Sequence, residues 1–258
     1  MTTNDNREAL APDTPEYVTI PGAPGDGDVA CAVYPPLAQG AGGPSGMVIH
    51  LYGSSGSCRV FNMQRPPYMQ VRRLLRERGY WLVVPDLGGA HWMNEPACRT
   101  IDAVIAAWID NHGVDPARVH LLGTSMGGGS GLAYIARRPN RIRSMCAVFP
   151  MTDFARFTRD RPNYLAPILQ AHHVSPDAAA CLLDALSPIR HPDAYAGLPL
   201  LLLHGDQDPI VSVEHSRTFA AALRARGYPV TYREVPGFGH NDDIAEAYQR
   251  EIADFLAG

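Results

Sequence analysis

No lysine occurs anywhere in the 258 residues, and all 22 basic side chains are arginine. That absence excludes Schiff-base and pyridoxal chemistry on a lysine amine, and it excludes a P-loop, whose lysine reaches the phosphates. Paired cysteines are missing as well. The five present (Cys31, Cys58, Cys98, Cys146 and Cys181) are odd in number and widely spaced, with no C-x-x-C. This argues against a disulfide framework or a zinc cage and reads as reduced thiols. No apolar run approaches the ~18 residues of a membrane span, and the polar opening of the chain has no basic-then-apolar leader pattern. A cytoplasmic protein with no membrane partner is expected. There is no block of like charge, and the net charge is −4, so no nucleic-acid partner is expected either.

What is present is an ordinary globular composition, 46% hydrophobic and 19% charged. A chain of this length buries roughly 70–75% of its extended surface on folding, enough for one large core. Residues 1–16 lack periodicity and read as a flexible N-terminal arm, leaving 17–258 as a single domain. Tyr17–Ile20 and Val29–Tyr34 flank a Pro/Gly turn and suggest a hairpin. After a Gly/Pro loop at 40–46, apolar β-type runs at 47–52, 80–84, 119–122, 145–149, 200–203 and 231–235 alternate with helix-length segments. The helical spacing of apolar residues predicts helices over 67–78, 98–112, 126–137, 214–226 and 242–256. Continuous apolar strands alternating with helices predict an α/β fold, a mostly parallel central sheet of about eight strands covered on both faces. The stretch 150–195, with a short helix over 177–186, is too long for an ordinary connection and reads as a small helical lid insert.

Three segments carry chemistry. Gly123-Thr-Ser125-Met-Gly127 is a G-x-S-x-G between a predicted strand and a predicted helix, the context of a nucleophile elbow. The turn needs small residues on either side so that the backbones can approach, and the helix N-terminus favours developing negative charge at Ser125. A serine hydroxyl needs a base within hydrogen-bond reach and a third group to orient that base. His204-Gly-Asp206-Gln-Asp208 follows one predicted strand, and Gly-Phe-Gly-His240-Asn-Asp242-Asp243 follows another. In an open α/β sheet all three segments meet beyond the carboxyl ends of the strands.

Together, Gly-Thr-Ser125-Met-Gly, His204-Gly-Asp-Gln-Asp208-Pro-Ile-Val and Gly-Phe-Gly-His240 resemble the α/β-hydrolase superfamily over about 46–257. The similarity is to single-domain esterases of the prolyl oligopeptidase catalytic-domain branch. The resemblance implies Ser125 as nucleophile, His240 as general base and then acid, and Asp208 as the carboxylate on the imidazole. Asp206 is the main competitor for that carboxylate and otherwise reads as a loop-capping residue, while Asp242 and Asp243 could lie near His240 but, standing just before a predicted helix, read as N-terminal caps. The oxyanion donors it implies are the backbone N–H of Met126 and, from the His50-Leu-Tyr52-Gly53-Ser54 loop, that of Ser54, with Gly53 as runner-up. Tyr52 stands where the family usually has His, which fits a hydroxyl near the site or, equally, a partly buried ring with a backbone partner.

Tyr52, Gly53, Trp92, Phe154 and Phe157 are candidate substrate-lining residues. No metal site is expected, because the adjacent His172 and His173 would not face one way on a helix. The function these readings imply is a serine hydrolase cleaving a small or medium carboxylic ester, with no cofactor, acting on a small-molecule ester or thioester as a monomer or homodimer. An acyltransferase, thioesterase or cyclase would use the same three residues, and a non-catalytic ligand receptor on the same fold is a further alternative.

Overall fold

The computed structural model describes residues 14–37 and 45–258, so the expected arm up to residue 13 and most of the Gly/Pro loop lie outside the described residues. The apolar runs form one eight-stranded sheet. Its strands are β1 (Glu16–Ile20), β2 (Val29–Tyr34), β3 (Ser45–Leu51), β4 (Tyr80–Pro85), β5 (Val114–Thr124), β6 (Ser144–Val148), β7 (Leu200–Gly205) and β8 (Val230–Val235). Their order is β1-β2-β4-β3-β5-β6-β7-β8. The hairpin β1/β2 and the β2/β4 pair are antiparallel, and every later pairing is parallel. β6 and β7 are buried along their whole length, as strands covered on both faces must be, whereas the edge strand β1 is half exposed.

Nine α-helices occur among the described residues: α1 (Met69–Glu77), α2 (Glu95–His112), α3 (Met126–Arg137), α4 (Phe154–Asp160), α5 (Leu165–His172), α6 (Ala179–Leu186), α7 (Glu214–Arg224), α8 (Asp243–Ala247) and α9 (Gln249–Ala257). Helix α2 begins three residues before the expected start. Asn94 caps it by accepting the Ala97 N–H at 3.0 Å, and Pro96 sits in the first turn, where its missing N–H costs nothing. The expected 242–256 helix is broken at Tyr248 into α8 and α9. β5 is longer than the expected 119–122, because Val114 pairs with Ser45 before the register jumps to Val119 opposite Met47. Residues 115–118 bulge out there, closed by the Asp115 carboxylate on the Ala117 N–H.

The 150–195 segment is helical, as expected, and is tied down at both ends. Ser187 Oγ accepts the Phe154 N–H and donates to Leu183 O, while Thr152 Oγ1 donates to the carbonyl of His215 in α7. Among the described residues no helix is long and apolar enough to cross a membrane. Because β3 and β5 to β8 all run parallel, their carboxyl ends lie along one edge, and the loops carrying Ser54, Ser125, Asp208 and His240 leave from that edge.

Candidate active site

Ser125 stands between β5 and α3 with φ 55° and ψ −118°, a conformation L-residues avoid and that costs about 1–3 kcal/mol. The turn is held by the Ser125 N–H on Val148 O (2.9 Å) and by the Gly129 N–H on Ser125 O (3.1 Å). It is also why the flanking residues are glycines. A Cβ on Gly123 would stand 2.4 Å from Gly127 O, and one on Gly127 would stand 2.0 Å from Leu51 O. α3 can therefore begin directly against the end of β3, with the Met126 N–H in its first turn and free of any intrahelical partner.

His240 lies between the other two groups, with Nε2 2.9 Å from Ser125 Oγ and Nδ1 2.6 Å from Asp208 Oδ2. An ionised carboxylate only accepts, so Nδ1 carries the proton and Nε2 is left free to receive the serine's. The other oxygen, Asp208 Oδ1, accepts the N–H groups of Ile210 (2.8 Å) and Val211 (2.9 Å). Burial pushes the Asp208 carboxyl up, but hydrogen bonds from His204, His240 and Val211 outweigh it and hold the group well below the usual carboxylate range. His204, fully buried, donates from Nε2 to Val211 O (2.9 Å), with Asp208 Oδ2 3.4 Å away. Asp206 is not part of this row. It accepts the Gly237 N–H at 2.7 Å and fastens the two loops together, close to its expected role.

Ser125 and His240 open into a cleft of about 170 Å³, whose wall includes Gly53, Ser54, Asn62, Arg65, Phe149 and Asp242. The Phe149 ring packs 4.3 Å, centroid to centroid, from the His240 imidazole, and its backbone is held at φ 38°. Gly53 directs its N–H to Asn62 Oδ1 at 3.1 Å, so that donor is already engaged.

The row of three side chains agrees with the family resemblance, and the Prolyl oligopeptidase family matches residues 67–257, most of the chain. The chain belongs to that family. Esterase LipQ of Mycobacterium tuberculosis is 38% identical over 81 residues, 29% of this chain and 19% of that protein. The chain spans less than a third of the length of the first curated relatives it matches. The fold is shared with a puromycin-hydrolyzing peptidase of Mycobacterium tuberculosis (TM-score 0.78, 23% identity, 94% of this chain and 40% of that one). It is shared at full length with an S-formylglutathione hydrolase from Agrobacterium tumefaciens (TM-score 0.74, 18% identity, 96% of both chains). The α/β-hydrolase fold is thereby established.

Not every residue expected near the substrate reaches the cleft of this family member. Tyr52 is fully buried, and its hydroxyl accepts the Leu87 N–H at 2.7 Å, the backbone partner that was one of its two readings. Tyr52→Phe should cost about 1–3 kcal/mol through the stranded Leu87 N–H while leaving kcat within about twofold. Parallel thermal melts and ester assays check this, and a tenfold fall in kcat without loss of stability would place the hydroxyl in the chemistry.

Trp92 and Phe154 are buried in an aromatic cluster with Phe157 and Tyr164, ring centroids 5.7–6.4 Å from Trp92. Phe157 also borders a separate hollow of about 350 Å³ with Asp206, Asp208, Ile210 and His215. His172 Nε2 donates to Trp92 O, and no group of three or more potential metal ligands occurs among the described residues. Sequence reasoning missed Asn62, Arg65 and Phe149, which no motif marks. Asp242 holds the N-cap position of α8 but its side chain makes no cap bond; it lines the same cleft as His240, the other of its two readings, and meets Asn62 and Arg65.

Proposed function

We propose that this protein is a serine hydrolase that cleaves small carboxylic esters through an acyl-enzyme on Ser125. The observation that carries the reading is the single imidazole of His240 bonded at once to Ser125 Oγ and Asp208 Oδ2. His240 Nε2 takes the hydroxyl proton as Oγ bonds to the acyl carbon, and Asp208 stabilises the imidazolium that forms. The N–H groups of Met126 and Ser54 hold the oxyanion. Collapse of the intermediate breaks the acyl–alkoxy bond, and His240 hands its proton to the leaving alcohol. Water, deprotonated by the same nitrogen, then attacks the acyl carbon and frees Ser125.

A cleft of about 170 Å³ is small beside the several hundred Å³ of drug-sized sites. Its size and its Asn62, Arg65 and Asp242 wall favour a short, polar acyl or alcohol portion. The likeness at full length to an S-formylglutathione hydrolase keeps a small thioester in the same substrate class. The helical segment 150–195 supplies Phe157, Asp160 and Arg161 to the neighbouring hollow beside Asp208, which supports its reading as a lid there.

The reading is tested by intact mass after treatment with a fluorophosphonate. The native chain should gain one adduct, and Ser125→Ala should gain none. A folded native chain that takes up no label would overturn the hydrolase reading in favour of a ligand receptor, and turnover that rises with an added acceptor alcohol would favour acyl transfer over hydrolysis.

A further inference from the structure

We propose that Asn62 and Asp242 are positioning residues that set the oxyanion hole. Asp242 orients the Asn62 amide, Asn62 holds the Gly53 N–H, and the next N–H, that of Ser54, is thereby fixed beside Ser125. This rests on the acyl-enzyme reading above. The Asp242 side chain is 6% exposed, although it lies two residues past His240 on a surface loop. It accepts Asn62 Nδ2 on both oxygens (3.1 and 3.2 Å) and Arg65 Nη1 at 2.5 Å. A carboxylate offers no donor, so the amide nitrogen of Asn62 must face it and Oδ1 must face away. There Oδ1 meets the Gly53 N–H at 3.1 Å. Gly53 in turn abuts the nucleophile, since a Cβ built on it would stand 3.7 Å from both Asn62 Oδ1 and Ser125 Cβ.

The chain of bonds therefore ties the loop after β8, which carries His240, to the loop after β3, which carries the oxyanion donor. The two loops are about 180 residues apart in sequence. Oxyanion donors work only when aimed in advance at the developing charge, and a displacement of about 1 Å costs up to ~100-fold. Without Asp242 the Asn62 amide is free to turn its NH2 toward Gly53, setting donor against donor and releasing the loop.

The test compares Asn62→Ala, Asp242→Ala, Asp242→Asn and the Asn62→Ala/Asp242→Ala double variant with the native chain on p-nitrophenyl acetate. Asn62→Ala and Asp242→Ala should each lower kcat by about 10- to 100-fold with KM within about threefold. The double variant should be no worse than the worse single, because both break one chain of bonds. Asp242→Asn should lose only about fivefold, since its carboxamide oxygen still accepts from Asn62. The acidic limb of the kcat/KM profile should not move in Asn62→Ala.

Losses that add in the double variant, or Asn62→Ala with kcat within about twofold of native, would overturn the proposal. So would Asp242→Asn as damaging as Asp242→Ala with a shifted acidic limb, which would make Asp242 an electrostatic partner of His240 instead. If Asp242→Ala does not fold, Asn62→Ala decides the matter alone. A native chain that is inactive and unlabelled by fluorophosphonate would sink the acyl-enzyme reading itself, and this inference with it.

Discussion

Asp208→Asn is expected to lower kcat by about 10³- to 10⁴-fold while the protein stays folded. Asp208 accepts four donors or near-donors: the N–H groups of Ile210 and Val211 on Oδ1, His240 Nδ1 on Oδ2, and His204 Nε2 at 3.4 Å. A carboxamide has only one accepting oxygen. With that oxygen on the two loop N–H groups, its NH2 faces His240 and forces the tautomer that protonates Nε2. That imidazole donates to Ser125 and can no longer take its proton. With the oxygen turned the other way, the NH2 strands two backbone donors and the loop shifts. The first route removes the base without stranding a donor and should prevail, whereas the second keeps the Nδ1–H bonded and the base intact but costs stability. Steady-state kinetics on a chromogenic ester beside a thermal melt measures the two effects. A loss smaller than about tenfold would show that the 2.6 Å contact is not what prepares His240.

The second large effect concerns acid. Besides His204, four imidazoles among the described residues are almost wholly inaccessible: His50, His91, His120 and His215. Burial lowers all of them, His50 and His91 to about 3 and His120 and His215 to about 4. Three have Nδ1 already in a hydrogen bond. His91 accepts the Met93 N–H, His215 those of Thr152 and Asp153, and His120 pairs with Ser144. In the unfolded chain each would titrate near 6.5.

Below that value the unfolded state binds more protons than the folded state, so stability falls as pH falls, and the loss is complete only near the folded values of 3–4. At pH 5 each contributes about 2 kcal/mol of destabilisation, and the four together roughly 8 kcal/mol, comparable to the whole stability of a typical domain. Asp208, whose carboxyl is depressed, acts in the same direction but only below its ordinary unfolded value near 4. The protein should therefore unfold near pH 5, before its carboxylates contribute. Urea titrations at pH 7.5, 6.5 and 5.5 check this, and a midpoint that does not move between 7.5 and 5.5 would refute it.

Much of this was legible in the sequence because the signals are local. The buried runs of β3, β6 and β7 are apolar apart from Ser45, His50, Ser144 and His204, because strands covered on both faces have no polar side to show. Gly123 and Gly127 announce the elbow because no side chain fits where the backbones of β5, α3 and β3 meet. The order Ser125, Asp208, His240 follows from which loops leave the same edge of the sheet. Other residues have partners far along the chain. Asp242 does hold the N-cap position of α8, yet its side chain's partners, Asn62 and Arg65, lie on the loop after β3. Trp92 and Phe154, candidate pocket walls by sequence, are instead buried with their rings against each other, and only Phe157 of that cluster also borders a hollow.

The sequence by itself determined the α/β class and the glycine-flanked turn that carries Ser125, and its resemblance to a known family singled out Asp208 and His240. The first two depend on residue type at short spacing and on backbone space that only glycine leaves free. The tertiary structure alone decided how the loop after β3 is held, where Tyr52 spends its hydroxyl and how Phe149 sits against His240 at φ 38°. Those are hydrogen bonds and ring contacts between loops brought together at the edge of the sheet, and their geometry is set by packing rather than by any local pattern.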